Sequence, residues 1–256
     1  MAESISDQRI KAILVLLATA ATIAFNVLAA TGYVNGFTPA EISDKYPTII
    51  TPAGYAFSIW SLIYFGLSAF SIYQLVPGNL ERFGGIRTLY IASCVLNCAW
   101  IYFWHHDQIG ICLILIFALA VLLIVIAAKF RNPVTTTETF LVKGTFGLYA
   151  GWVSVASVVN LAVYLRSIDS PMASSNVVAV VIVAVATAAA ILASRLISNH
   201  FYPFAVAWAL TAIAVKQSSN TRLVVACAVG VIISLLMSLS FVLNLPSSTT
   251  QLQENE

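Results

Sequence analysis

Hydrophobic residues in this chain fall into eight long blocks, at about 10–30, 53–76, 86–104, 109–128, 140–165, 176–197, 201–215 and 223–245. A helix needs ~20 mostly apolar residues to cross the hydrocarbon core of a bilayer. The pattern therefore predicts an all-α, polytopic transmembrane bundle of about eight spans. Seven is the alternative count, because block 201–215 is short, has Pro203 in its first turn and has Trp208 in its middle. The first block is too long for a signal-peptide core and shows no obvious cleavage site before Phe25 and Asn26, so it reads as a retained span.

Polar positions within the blocks are few, and one set is periodic. Tyr149, Trp152, Ala156 and Asn160 stand at i, i+3, i+7 and i+11, a single stripe on a helix. The second block carries Tyr55, Phe57, Trp60 and Tyr64, and the third carries Asn97, Trp100 and Phe103. An asparagine inside a span is costly unless another helix or a ligand satisfies its amide. The sequence leaves both partners open. Flat aromatic walls with a few amide and hydroxyl groups suit a planar, largely apolar ligand.

Composition supports the membrane reading: the 256 residues are 60% hydrophobic and only 9% charged, with mean hydropathy +0.94, against about 25% charge in soluble domains. A net charge of +2 with no basic run excludes a nucleic-acid partner. With the N-terminus inside, Arg9, Lys11, Arg82, Arg87, Lys129, Arg131, Lys143 and Arg195 lie on inner segments, and only Lys45, Arg166, Lys216 and Arg222 on outer ones. That excess predicts both termini on the cytoplasmic side. The turn-rich loop 31–52 then lies outside, with Pro39 placed to start a short helical turn across Thr38 to Glu41. It is positioned either to lid a cavity or to serve as a plain connection. The tail after Pro246 is polar and expected to be disordered.

Cys94, Cys98, Cys112 and Cys227 all fall within apolar blocks, as small hydrophobes do. His105, His106 and Asp107 are expected to form a solvated interfacial turn rather than a metal site. Carboxylates keep to loops and termini, while Lys143, Arg195 and Lys216 are expected to snorkel from helix ends. The lack of a midspan acid or lysine argues against ion-coupled transport, against a retinal protein and against an enzyme.

The motifs Tyr149-x-x-Trp152-x-x-x-Ala156-x-x-x-Asn160, Asn97-x-x-Trp100 and Trp60-x-x-x-Tyr64 together resemble the translocator protein/tryptophan-rich sensory protein family (TspO/MBR). The resemblance covers 10–166. Thr51-Pro52-Ala53-Gly54-Tyr55 replaces the family's proline pair and tryptophan, and Leu148 stands where proline is common. It implies a five-helix bundle with a pocket under the first loop, binding porphyrin, haem or sterols, and a homodimer. The chain thus divides into a tail 1–9, a TspO/MBR-like domain 10–166, an additional three-helix region 167–245 and a tail 246–256. Trp60, Tyr64, Asn97, Trp100, Tyr149, Trp152, Ala156 and Asn160 are the candidate ligand-binding residues. No cofactor is required, and porphyrin or haem enters as the ligand of a sensor, regulator or carrier. The alternative function is a facilitative transporter of a small neutral or amphipathic solute.

Overall fold

Each apolar block folds as a helix, as a lipid environment requires: with no water to satisfy backbone N–H and C=O groups, a spanning segment must satisfy them itself. The computed structural model describes residues 5–243 and contains α1 (Ile5–Ala30), α2 (Ile59–Tyr73), α3 (Arg87–His105), α4 (Ile109–Ala128), α5 (Thr145–Ser167), α6 (Asn176–Leu196), α7 (Phe201–Lys216) and α8 (Thr221–Leu243). No strand occurs among the described residues. The tail predicted after Pro246 lies outside them.

Among the described residues, seven segments are long and apolar enough to cross a membrane, and α7 is the exception among these eight helices. Its sixteen residues rise only about 24 Å, short of a ~30 Å hydrocarbon core. The short seventh block seen in the sequence is therefore a short helix. It is also an interior one, burying Ala205, Val206, Ala209, Leu210, Ala212 and Ile213 against its neighbours.

The helices turn their few polar side chains inward, among a largely apolar core, and leave apolar side chains outside. α1 buries Thr19, Thr22 and Asn26 while exposing Leu14, Leu17, Val27 and Leu28. Phe65 on α2, Ile114 and Val121 on α4, Val185 on α6 and Leu236 on α8 extend that apolar exterior. Buried hydroxyls and amides then tie helix to helix: Thr19 Oγ1 lies 2.6 Å from both Ser71 Oγ and Tyr90 OH.

α5 is the centre of the bundle. α4, α2 and α7 pack directly on it, α3 joins α4 to α1, and α8 joins α7 to α6. Contact between α5 and α7 depends on Gly147 and Gly151, a small-x-x-x-small pair that lets backbones approach. A Cβ on Gly151 would overlap the carbonyl oxygen of Tyr202 and come within 3.0 Å of Ala205 Cβ. Asn199, at the α6–α7 turn, fills the space left by Gly147 and donates to Lys143 O at 2.8 Å.

The end of the bundle opposite loop 31–52 is filled. Phe70, Phe83, Tyr90, Phe130 and Phe146 interlock there with ring centroids 5.1–6.0 Å apart. Arg87 is fully buried and donates to Gln74 Oε1 at 2.7 Å, to Leu80 O at 2.6 Å and to Gln8. Arg82 pairs with the buried Glu138 at 2.6 Å. Lys143 does not snorkel as expected. It sits in a π-helical turn (Thr139–Gly144), is 6% exposed, and donates to Arg131 O at 2.9 Å.

Candidate ligand-binding site

Loop 31–52 folds over the helix ends as a lid. Thr38 caps the short helix Pro39–Lys45 through a capping box, with Glu41 N donating to Thr38 Oγ1 at 3.3 Å and Thr38 N donating to Glu41 Oε2 at 2.7 Å. Thr38 N and Thr38 Oγ1, both donating to Glu41 Oε2, hold the Glu41 carboxyl below its ordinary 4.5. On the α3 side, Trp104 Nε1 donates to Pro39 O at 3.2 Å and Asn35 Nδ2 to His105 O at 2.6 Å, while Lys45 and Tyr46 both meet Asp107. Burial, then the Asp107 charge, raises the Tyr46 phenol above 10.0. On the α7 side, Lys216 pairs with Asp44 at 3.1 Å and Gln217 donates to Thr48 O at 3.2 Å.

Beneath the lid is a cavity. Ser43 and Pro52 roof it, Phe57 and Trp60 close one side, and Trp100 and Trp104 of α3 stack at 5.6 Å on another. α5 contributes Trp152, Val155, Ala156, Val159 and Asn160, and α7 contributes Ala209 and Ile213. The free space is about 40 Å³, room for roughly three waters. The aromatic walls are nearly in contact, so a larger guest must part them and lift the roof.

The structure divides the sequence-predicted residues into two layers. Trp60, Trp100, Trp152, Ala156 and Asn160 line the cavity. Tyr64 and Tyr149 lie behind Trp60, with ring centroids 5.4 and 5.7 Å from it. Asn97 is placed deeper still: its Oδ1 accepts from Asn26 at 2.8 Å and its Nδ2 donates to Tyr149 OH at 3.0 Å. Asn97 and Tyr149 thus complete an α1–α3–α5 hydrogen-bond chain. Asn160 accepts from Trp100 Nε1 at 3.2 Å and donates to Ala156 O at 2.9 Å. Sequence reasoning missed Trp104, one helical turn after Trp100, although the spacing was visible. No periodic signal pointed to Ala209 or Ile213.

Trp152 differs from its neighbours. Its ring packs edge-to-face on Phe57 and Trp60 at 6.2 and 6.3 Å, and it is 4% exposed. Its indole N–H has no hydrogen-bond partner among the described residues. A buried, unmade hydrogen bond costs roughly 1–3 kcal/mol, so the closed cavity has a polar demand that a guest's acceptor would meet.

His105 departs from the expected solvated turn. The lid covers it completely, with Nδ1 2.7 Å from Ile101 O, whereas His106 remains exposed and packs on Tyr102. No group of three His, Cys, Asp or Glu side chains among the described residues is arranged to hold a metal. All four cysteines are free thiols.

No curated protein and no solved structure matches the chain. A protein-family model described as TSPO-like protein matches residues 12–241, from within α1 to within α8, and the chain accordingly belongs to the TSPO-like family as an integral, multi-pass membrane protein.

Proposed function

We propose that this protein binds a planar, largely apolar molecule of the porphyrin, haem or sterol type and acts as a sensor, regulator or carrier, without catalysing a reaction. The observation that carries the reading is the unpartnered Trp152 N–H in a cavity walled by indole, phenyl and aliphatic side chains. Such walls favour a flat ring system, and the lone donor favours one bearing an oxygen or nitrogen acceptor. The family match agrees with this reading. Binding is coupled to opening, because the closed cavity is far smaller than a tetrapyrrole.

A continuous solute pathway is the weaker reading. The cavity lining comes from the lid-side halves of α2, α3 and α7 and from the middle of α5, while interlocked aromatic rings fill the end opposite the lid. We also place the lid on the non-cytoplasmic face, following the bias of Lys and Arg toward the other end.

Titration of the purified protein in nanodiscs with protoporphyrin IX tests the reading. Saturable quenching of tryptophan emission is expected, with affinity reduced about tenfold in Trp152→Phe, which keeps a ring and loses the donor. Quenching that never saturates, or that is identical in Trp152→Phe, would remove the proposal.

A further inference from the structure

The lid and the cavity meet α7 at more points than a five-helix pocket under a loop would suggest. Ala53 N donates to Ala212 O at 3.0 Å, so the chain leading into α2 is hydrogen-bonded to α7 within that helix's last two turns. Trp208 Nε1 donates to Ala56 O at 3.0 Å, and its ring packs edge-to-face on Tyr55 at 5.4 Å. Ala209 and Ile213, one helical turn apart, supply the cavity wall between these ties. Lys216 and Gln217 hold the roof where α7 ends. α7 is itself fixed in depth by the glycine contact with α5.

We infer that α7 is the size-selecting wall of the ligand site: Ala209 and Ile213 determine how large a molecule the cavity accepts. The inference rests on the ligand-binding reading but makes a separate claim about which helix limits the space. The aromatic walls are tied by contacts that a guest must loosen to part them, and Val155, Ala156 and Val159 belong to the central α5, which α2, α4 and α7 hold in place. Trp100 is tied to Asn160, Trp104 to the lid, and Trp152 is wedged between Phe57 and Trp60. On α7 the wall consists of one methyl and one sec-butyl side chain, so its position is set by side-chain size alone. A change of even one or two carbons in such a wall shifts ligand discrimination by about tenfold or more.

Four of the five tryptophans of the chain, Trp60, Trp100, Trp104 and Trp152, line the cavity, and the fifth, Trp208, packs on the segment leading into α2 through Tyr55 and Ala56. Their emission therefore reports on this site even with no ligand bound. Three proteins in nanodiscs carry the test, Ile213→Ala, Ala209→Leu and the control Val215→Ala, exposed and outside the cavity lining, each read by acrylamide quenching of tryptophan emission and by protoporphyrin IX titration. Ile213→Ala is expected to increase acrylamide access and tighten protoporphyrin binding at least severalfold. Ala209→Leu is expected to reduce access and weaken binding about tenfold, with Val215→Ala like wild type. Ile213→Val, expected to move in the same direction by less, replaces Ile213→Ala if that variant is not monodisperse and helical. Acrylamide access and binding that stay at wild-type values in the wall variants overturn the inference and leave the ligand reading standing. Opposite shifts in acrylamide access without porphyrin binding in any protein uphold the wall and overturn the ligand reading.

Discussion

Asn97 and Asn160 are both mid-span asparagines, and the structure gives them different surroundings. Asn97 has its oxygen and its amide committed to Asn26 and Tyr149, between three helices. Asn160 steadies Trp100 at the edge of the cavity. Replacing Asn97 by alanine strands those partners and is expected to cost about 1–3 kcal/mol, read as a lower midpoint of denaturant-induced unfolding in mixed micelles. Porphyrin affinity of the protein that remains folded should change little. Trp152→Phe should show the reverse, with a stability change within about 1 kcal/mol, because losing the unsatisfied donor offsets lost packing. The sequence marked both asparagines as polar groups in need of partners. Which partner each takes depends on side chains as many as 71 positions away, beyond what periodicity on one helix can show.

Between elements, the α5–α7 contact and the lid respond to different changes. Alanine at an exposed helical glycine normally stabilises by up to about 1 kcal/mol. At Gly151 the added methyl meets the Tyr202 carbonyl, and a backbone oxygen cannot swing aside. Gly151→Ala should therefore destabilise by roughly 1–3 kcal/mol, whereas Gly110→Ala, whose Cβ would stand 3.6 Å from the Tyr164 ring, should be neutral or mildly stabilising. Thermal unfolding of the two variants side by side provides the check. In the lid, Thr38→Ala removes the cap and should weaken Pro39–Lys45 by about 1 kcal/mol, visible as faster amide exchange confined to that segment. Because the Glu41 carboxyl is lowered by its bonds to Thr38, its contribution to the lid is present above the unfolded value. It is lost only as pH falls through the lowered one. Pro39 and the Thr38-to-Glu41 spacing made this helix legible beforehand. The glycine pair was equally visible as a spacing, but nothing in the sequence named the helix that packs on it.

For the molecule as a whole, fold class was readable because lipid-facing helices need long apolar blocks, and the blocks are unmistakable. The place of α7 was not readable, since a helix buried among other helices is as apolar as one facing lipid. A chain ended after residue 167 keeps every family-like motif but loses the Ala209–Ile213 wall and exposes Gly147 and Gly151 of α5. It is expected to lose saturable porphyrin binding and to run as aggregate on size exclusion, in contrast to the full chain.

The two ion pairs on the lid, Lys45–Asp107 and Lys216–Asp44, have side chains 32–55% exposed. Pairs so accessible to water contribute about 0–1 kcal/mol each, and dissolved salt weakens them further, with a screening length shrinking to about 3 Å at 1 M. The cavity wall itself contains no charged side chain. Ionic strength should therefore act on the rate at which the roof lifts and scarcely on the hold once a guest is inside. Stopped-flow association should quicken as sodium chloride rises from about 0.05 M to about 0.5 M, with dissociation quickening in step and equilibrium affinity nearly constant. Through these two surface contacts, the salt content of the compartment would set how quickly the protein responds to its ligand, while leaving unchanged the concentration at which it responds.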